Sequence, residues 1–153
     1  MWPELKEQLE VEQAQLRQLF EIHRPLLERC RVQEPDAIEL SALGAFLHSF
    51  YTGVENLFRR VTIELGGRMP QSEAWHQRML HEMMQSDERR PAFISAELGE
   101  QLKIYLGFRH VFRQAYSFQL HWEKMAPLVH SCEETFARLQ AEIGDFVSRM
   151  EVS

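Results

Sequence analysis

Tyr105-Leu-Gly-Phe-Arg-His-Val-Phe-Arg-Gln-Ala-Tyr-Ser-Phe-Gln-Leu-His-Trp122 is the stretch on which the fold turns. It opens inside a helical pattern: Leu98, Leu102, Tyr105, Phe112 and Tyr116 share one register of three and four, the apolar stripe of a packed helix. After Tyr116 the register wavers across Ser117-Phe118-Gln119-Leu120-His121, and it resumes at Trp122 with Met125, Leu128, Val129, Cys132, Phe136, Leu139, Ile143, Phe146 and Met150. The stretch therefore holds a helix end and the bend into a last, long helix. Arg109 falls on the apolar stripe. A guanidinium is charged at any ordinary pH and is rarely buried alone, so this position asks for a carboxylate, a phosphate or a cleft. Arg113, His110, His121, Gln114 and Tyr116 crowd around it, a density of chemistry found nowhere else in the chain.

Working outward, the same periodicity accounts for the rest. From about Pro3 to Val32, Leu16, Leu19, Phe20, His23, Leu26, Leu27 and Cys30 line one face of a long helix. Pro25 inside it predicts a kink or break near His23-Arg24, because proline removes a backbone donor and crowds the preceding turn. His23 reads as a satisfied core histidine. Pro35-Asp36 marks a break and a cap. A second helix follows with a wide apolar face, Leu43, Phe46, Leu47, Phe50, Tyr51, Val54, Leu57, Phe58 and Val61. Gly44 and Gly53 interrupt it at roughly 1 kcal/mol each relative to alanine, which close approach of a neighbouring helix would offset. Glu55 and Asn56 sit beside that face, either bordering a cleft or on a solvated flank. Gly66-Gly67 ends the helix.

Ser72 is placed to cap a shorter helix carrying Trp75, Met79, Leu80, Met83 and Met84. Its His76 and His81 are five apart rather than four, and His81-Glu82 has no partner completing a His-Glu-x-x-His site, so no metal site is read here. Residues 85–94 carry charge and proline without a period and read as a loop, with Arg89-Arg90 as a surface pair or a contact for RNA phosphates. Ser95 caps the helix bearing the focal stretch, and Glu97 and Glu100 suit its dipole. No strand signal appears anywhere. The expectation is an all-α, up-and-down bundle of about five helices forming one domain over residues 1–153.

Composition narrows the function classes. The 153 residues are 44% hydrophobic and 26% charged, which is ordinary for a globular protein and excludes a disordered chain. A net charge of −6 argues against a generally basic nucleic-acid binder but leaves room for a local cationic cleft. Cys30 and Cys132 lack metal-ligand spacing and read as buried thiols, which points to a reducing, cytoplasmic setting. No apolar run approaches the ~18 residues needed to span a bilayer, and the charged start Trp2-Pro3-Glu4-Leu5-Lys6-Glu7 does not read as a signal peptide.

Arg109, four residues, Gln114, one residue, Tyr116 resembles the signature of the HEPN ribonuclease toxins of the HepT type, in which arginine, four residues, histidine, one residue and tyrosine follow in that order. Ser-Phe-Tyr-Thr-Gly-Val-Glu-Asn-Leu-Phe at 49–58 is similar to that family's second helix. Trp122-Glu123-Lys124 with Pro127-Leu128-Val129 is similar to the opening of its last helix, so the likeness covers most of the chain. It implies a metal-independent endoribonuclease acting on transfer or messenger RNA from a cleft between two protomers. It further implies a homodimer without cofactor, checked by a small nucleotidyltransferase antitoxin that attaches AMP to Tyr116.

In that chemistry a general base takes the proton of an RNA 2′-hydroxyl, which attacks the adjacent phosphate while a cation stabilises the developing charge. Arg109 suits the cationic role, and Tyr116, on the same face if the helix continues, would orient the phosphate. Arg113 and His121 are candidate RNA contacts. Gln114 stands where the family has histidine, and a carboxamide takes up no proton near neutral pH, although acid–base catalysis is worth ~10²–10⁴ in rate. His110, one turn before Gln114, is a candidate replacement base; a weak or inactive family member is the other outcome. Two further alternatives stand open. One is a bundle in which Arg109 pairs with a buried carboxylate such as Glu55 and Tyr116 is core; the other is a non-catalytic helical subunit that binds a nucleotidyltransferase.

Overall fold

The structure, a computed structural model, describes residues 2–71, 74–116 and 119–152. Five helices account for nearly all of them: α1 (Trp2–Arg29), α2 (Ala37–Glu64), α3 (Trp75–Met83), α4 (Ala96–Gln114) and α5 (Trp122–Val152). They form an all-α bundle around α2, which touches each of the other four. The cause is visible in its sequence. The whole apolar face expected for α2, from Leu43 to Val61, is sealed from solvent, and burying each such side chain is worth about 1.5–3 kcal/mol. Phe20 of α1 meets Phe46 and Phe50 edge-on and stacks on Phe136 of α5, so three helices lock through one aromatic cluster.

The expected boundary signals operate. Asp36 caps α2 in a reciprocal box: its side chain accepts from the Glu39 N–H at 2.8 Å while Glu39 accepts from the Asp36 N–H at 3.0 Å. Gly66 takes a positive φ of 79° just beyond α2, a conformation that other residues resist. Ser95 Oγ accepts from Leu98 N–H, and the same residue donates through N and Oγ to Glu142 of α5, tying the start of α4 to the last helix. The glycines of α2 sit at close approaches, as the packing argument required. A Cβ on Gly53 would lie 2.4 Å from Leu16 Cδ2, and one on Gly44 would lie 2.7 Å from Phe112 Cε1.

Other expectations meet mixed outcomes. Helix α1 runs through Pro25 without a break in its span; His23, two residues before the proline, bonds the Leu19 carbonyl through Nδ1 at 2.9 Å and packs its ring on Phe46, a satisfied histidine. The Ser72 cap lies outside the described residues, and Ala74 precedes α3 without a side-chain cap. The 85–94 loop is anchored rather than merely solvated: Phe93 and Ile94 are buried, and both their N–H groups donate to the Met83 carbonyl. Arg90 is no free surface cation, since its guanidinium donates to the carbonyls of Glu82 and Gln85 at the end of α3 and of Pro91 in the loop. Cys30 and Cys132 are free and buried. Among the described residues no helix is long and apolar enough to cross a membrane.

Candidate functional site

Helix α4 changes character halfway along. Its first turns bury Leu98, Leu102, Tyr105 and Leu106; Tyr105 also donates to the Leu128 carbonyl of α5 at 3.0 Å, which pins the helix. Beyond Leu106, Phe108, Arg109 and Phe112 are half-buried while His110, Arg113 and Gln114 are exposed. The second half of the helix thus keeps its apolar edge on α2 and turns its polar edge outward. That edge and α3 enclose a cleft of about 840 Å³, lined by Arg109, His110, Arg113 and Gln114 from α4 and by His76 and Leu80 from α3. Four of the residues singled out from the sequence therefore share one cavity.

The other two do not join them. Helix α4 ends at Gln114, and Ala115 is already extended, so Tyr116 does not continue the Arg109 face as the periodicity suggested. The Gln119 side chain accepts from the Tyr116 N–H at 2.9 Å and the Gln119 N–H donates to the Tyr116 carbonyl at 2.8 Å, a reciprocal pairing that turns the chain toward α5. Tyr116 is 71% exposed and is not core. His121 is exposed at the start of α5, outside the cleft lining, where its carbonyl accepts from the Lys124 and Met125 N–H groups. Ser117 and Phe118 lie outside the described residues.

Arg109 has the most unusual surroundings. Among the described residues its enclosed Nε finds no hydrogen-bond acceptor and its guanidinium forms no ion pair with a carboxylate. The Tyr51 hydroxyl on α2 is likewise enclosed without a partner among the described residues. Burial pushes the Tyr51 phenol far above its ordinary pKa; Glu55 one turn along adds to the rise, and the Arg109 charge opposes it. His48, also on α2 with its ring against Phe112, has its pKa lowered by burial and then by the Arg109 and Arg113 charges, so a neutral imidazole is favoured.

Glu55 answers a different group. Its carboxylate, 2% exposed, pairs with His76 Nδ1 of α3 at 2.6 Å rather than with Arg109. The alternative in which Glu55 neutralises Arg109 is therefore corrected, as is the solvated flank for Glu55. Its burial was legible: Tyr51, Glu55 and Phe58 follow one register of four and three on the buried side of α2. The pairing with His76 left no sequence signal, because two helices must first be packed to bring the groups together. His48 was missed for the same reason. Asn56, half-buried, reaches Glu12 of α1 and accepts from Arg59.

Residues 42–150 match the family model described as HepT-like protein. The matched span runs from early α2 to the end of α5 and contains every residue of the cleft. No curated protein and no solved structure matches the chain.

Proposed function

Since the chain belongs to the HepT-like protein family, with the match covering residues 42–150, we propose that it is the toxin of a toxin–antitoxin pair, an RNA hydrolase whose active cleft lies between α3 and the second half of α4. The observation that carries this reading is the state of Arg109: a half-buried guanidinium that lines the cleft while its enclosed Nε, like the Tyr51 phenol, has no hydrogen-bond partner among the described residues. Buried polar groups are nearly always satisfied, and an unsatisfied cation is an address for an external anion. An RNA phosphate has the geometry to take both the guanidinium edge and the charge of Arg113, one turn along the same wall of the cleft. Net charge is −6, so binding rests on this local cationic edge rather than on the whole surface.

In the proposed reaction Arg109 stabilises the negative charge that develops on the phosphate as the 2′-oxygen attacks. Gln114 holds the substrate by hydrogen bonds and is not the base. The exposed Tyr116, two residues beyond the helix, is the site at which a nucleotidyltransferase antitoxin attaches AMP; the added phosphate then competes with RNA for the Arg109–Arg113 edge. Ile104 and Val111, both exposed one heptad apart on α4, supply the apolar contact of a homodimer beside the cleft.

The test is cleavage of transfer and messenger RNA by purified protein in EDTA, comparing the parent with Arg109→Ala and Gln114→His. Cleavage by the parent that disappears in Arg109→Ala supports the reading. Failure of both the parent and Gln114→His to cut any RNA replaces it with a non-catalytic subunit that binds a nucleotidyltransferase, for which the acidic net charge speaks.

A further inference from the structure

Resting on the ribonuclease reading above, we propose that the Glu55–His76 pair supplies the general base that Gln114 cannot be, with His76 as the catalytic residue and Glu55 as its positioning residue. The two groups come from different helices, Glu55 from the buried face of α2 and His76 from α3, and meet at 2.6 Å through Nδ1. A buried carboxylate on one ring nitrogen fixes the tautomer: Nδ1–H donates to Glu55, and Nε2 keeps a lone pair. His76 lines the same cleft as Arg109. Nε2 is therefore the ring nitrogen left for a ligand there.

The ring is also held in place. The Trp75 ring packs on it with centroids 3.6 Å apart, and the Arg59 guanidinium lies over Trp75 at 5.2 Å. The competing imidazoles lack these features. His110 is exposed and has no hydrogen-bond or ion-pair partner among the described residues. His48 lines a separate groove between α1 and α2.

The step balances without a further reactant. His76 Nε2 takes the 2′-hydroxyl proton, the 2′-oxygen bonds to phosphorus, and the bond from phosphorus to the 5′-oxygen breaks. Water protonates that leaving oxygen, giving a 2′,3′-cyclic phosphate and a 5′-hydroxyl end. The imidazolium formed is stabilised by the Glu55 carboxylate until its proton passes to solvent.

Three variants test the assignment in the cleavage assay. His76→Gln keeps a donor for Glu55 but removes the base, and kcat should fall by ~10²–10⁴ with KM for RNA little changed. His76→Ala should regain part of its rate on addition of imidazole, which a structural role would not allow. Glu55→Gln should lower kcat and not KM. If His76→Gln melts like the parent and cuts as fast, while Arg109→Ala is inactive, the base assignment is overturned and the ribonuclease reading survives. If the parent itself cuts nothing, both fall. Nitrogen-15 spectra of the parent's imidazoles give a readout independent of activity: an Nδ1–H tautomer at His76 is expected, and an Nε2–H tautomer would overturn the pairing.

Discussion

Arg90 and Arg109 are both half-buried cations flanking α3, yet the structure treats them in opposite ways. Arg90, in the loop between α3 and α4, spreads its donors over the Glu82 and Gln85 carbonyls just where α3 ends and over the Pro91 carbonyl of its own loop. Its pKa is lowered by burial, a cost that these bonds offset. Arg109, on the facing helix, has a buried Nε with no acceptor and opens on the cleft. Burial alone thus says little about what an arginine is for. What distinguishes a clamp from a ligand site is whether the protein has already supplied the acceptors.

The sharpest way to break this contrast is to remove each cation in turn. Arg109→Ala should lower RNA cleavage by about 10²–10³, the usual loss when one donor to a developing oxyanion is removed, while the melting temperature stays near that of the parent. A large fall in stability instead would make Arg109 a clamp like Arg90. Arg90→Met should do the reverse. Removing the donor to the Gln85 and Pro91 carbonyls, while the Glu82 carbonyl keeps the Gln85 N–H, is expected to destabilise by about 1–3 kcal/mol, read as a lower denaturant midpoint, with cleavage per folded molecule unchanged. An Arg90→Met protein that melts normally but cuts poorly would place Arg90 among the RNA contacts.

The same contrast explains what the sequence disclosed. The helices were legible because their apolar registers are long, and the ends of α2 because Asp36, Glu39 and Gly66 act locally. Arg109 stood out because a cation interrupts the stripe that runs from Leu98. Tyr116 was misplaced because its spacing fits the α4 register, while the turn that removes it depends on Gln119, a contact that periodicity does not encode. Arg90 read as a surface residue for a similar reason: its acceptors are backbone carbonyls, which carry no sequence identity. The Glu55–His76 pair needed α2 and α3 already packed. What is local or periodic is readable in advance; what joins two elements at one atom pair is not.

The contrast between a group whose surroundings are complete and one whose surroundings are open extends, at smaller scale, to the glycines. Gly53 faces Leu16 so closely that a Cβ would sit 2.4 Å from Cδ2 and 2.9 Å from Cγ, against a side chain locked in the α1–α2 interface. Gly53→Ala therefore sets an overpacking cost of about 1–3 kcal/mol against a helix-propensity gain of about 1 kcal/mol, for a net loss on the order of 1 kcal/mol. Gly144 on α5 has nothing within 4 Å of the same hypothetical atom. Only the propensity gain remains there, so Gly144→Ala should raise stability by about 0.5–1 kcal/mol in a denaturant titration. If the two substitutions proved equal in sign and size, close approach of α1 to α2 would not be the reason for Gly53, and the packing of the bundle's central helix would need another account.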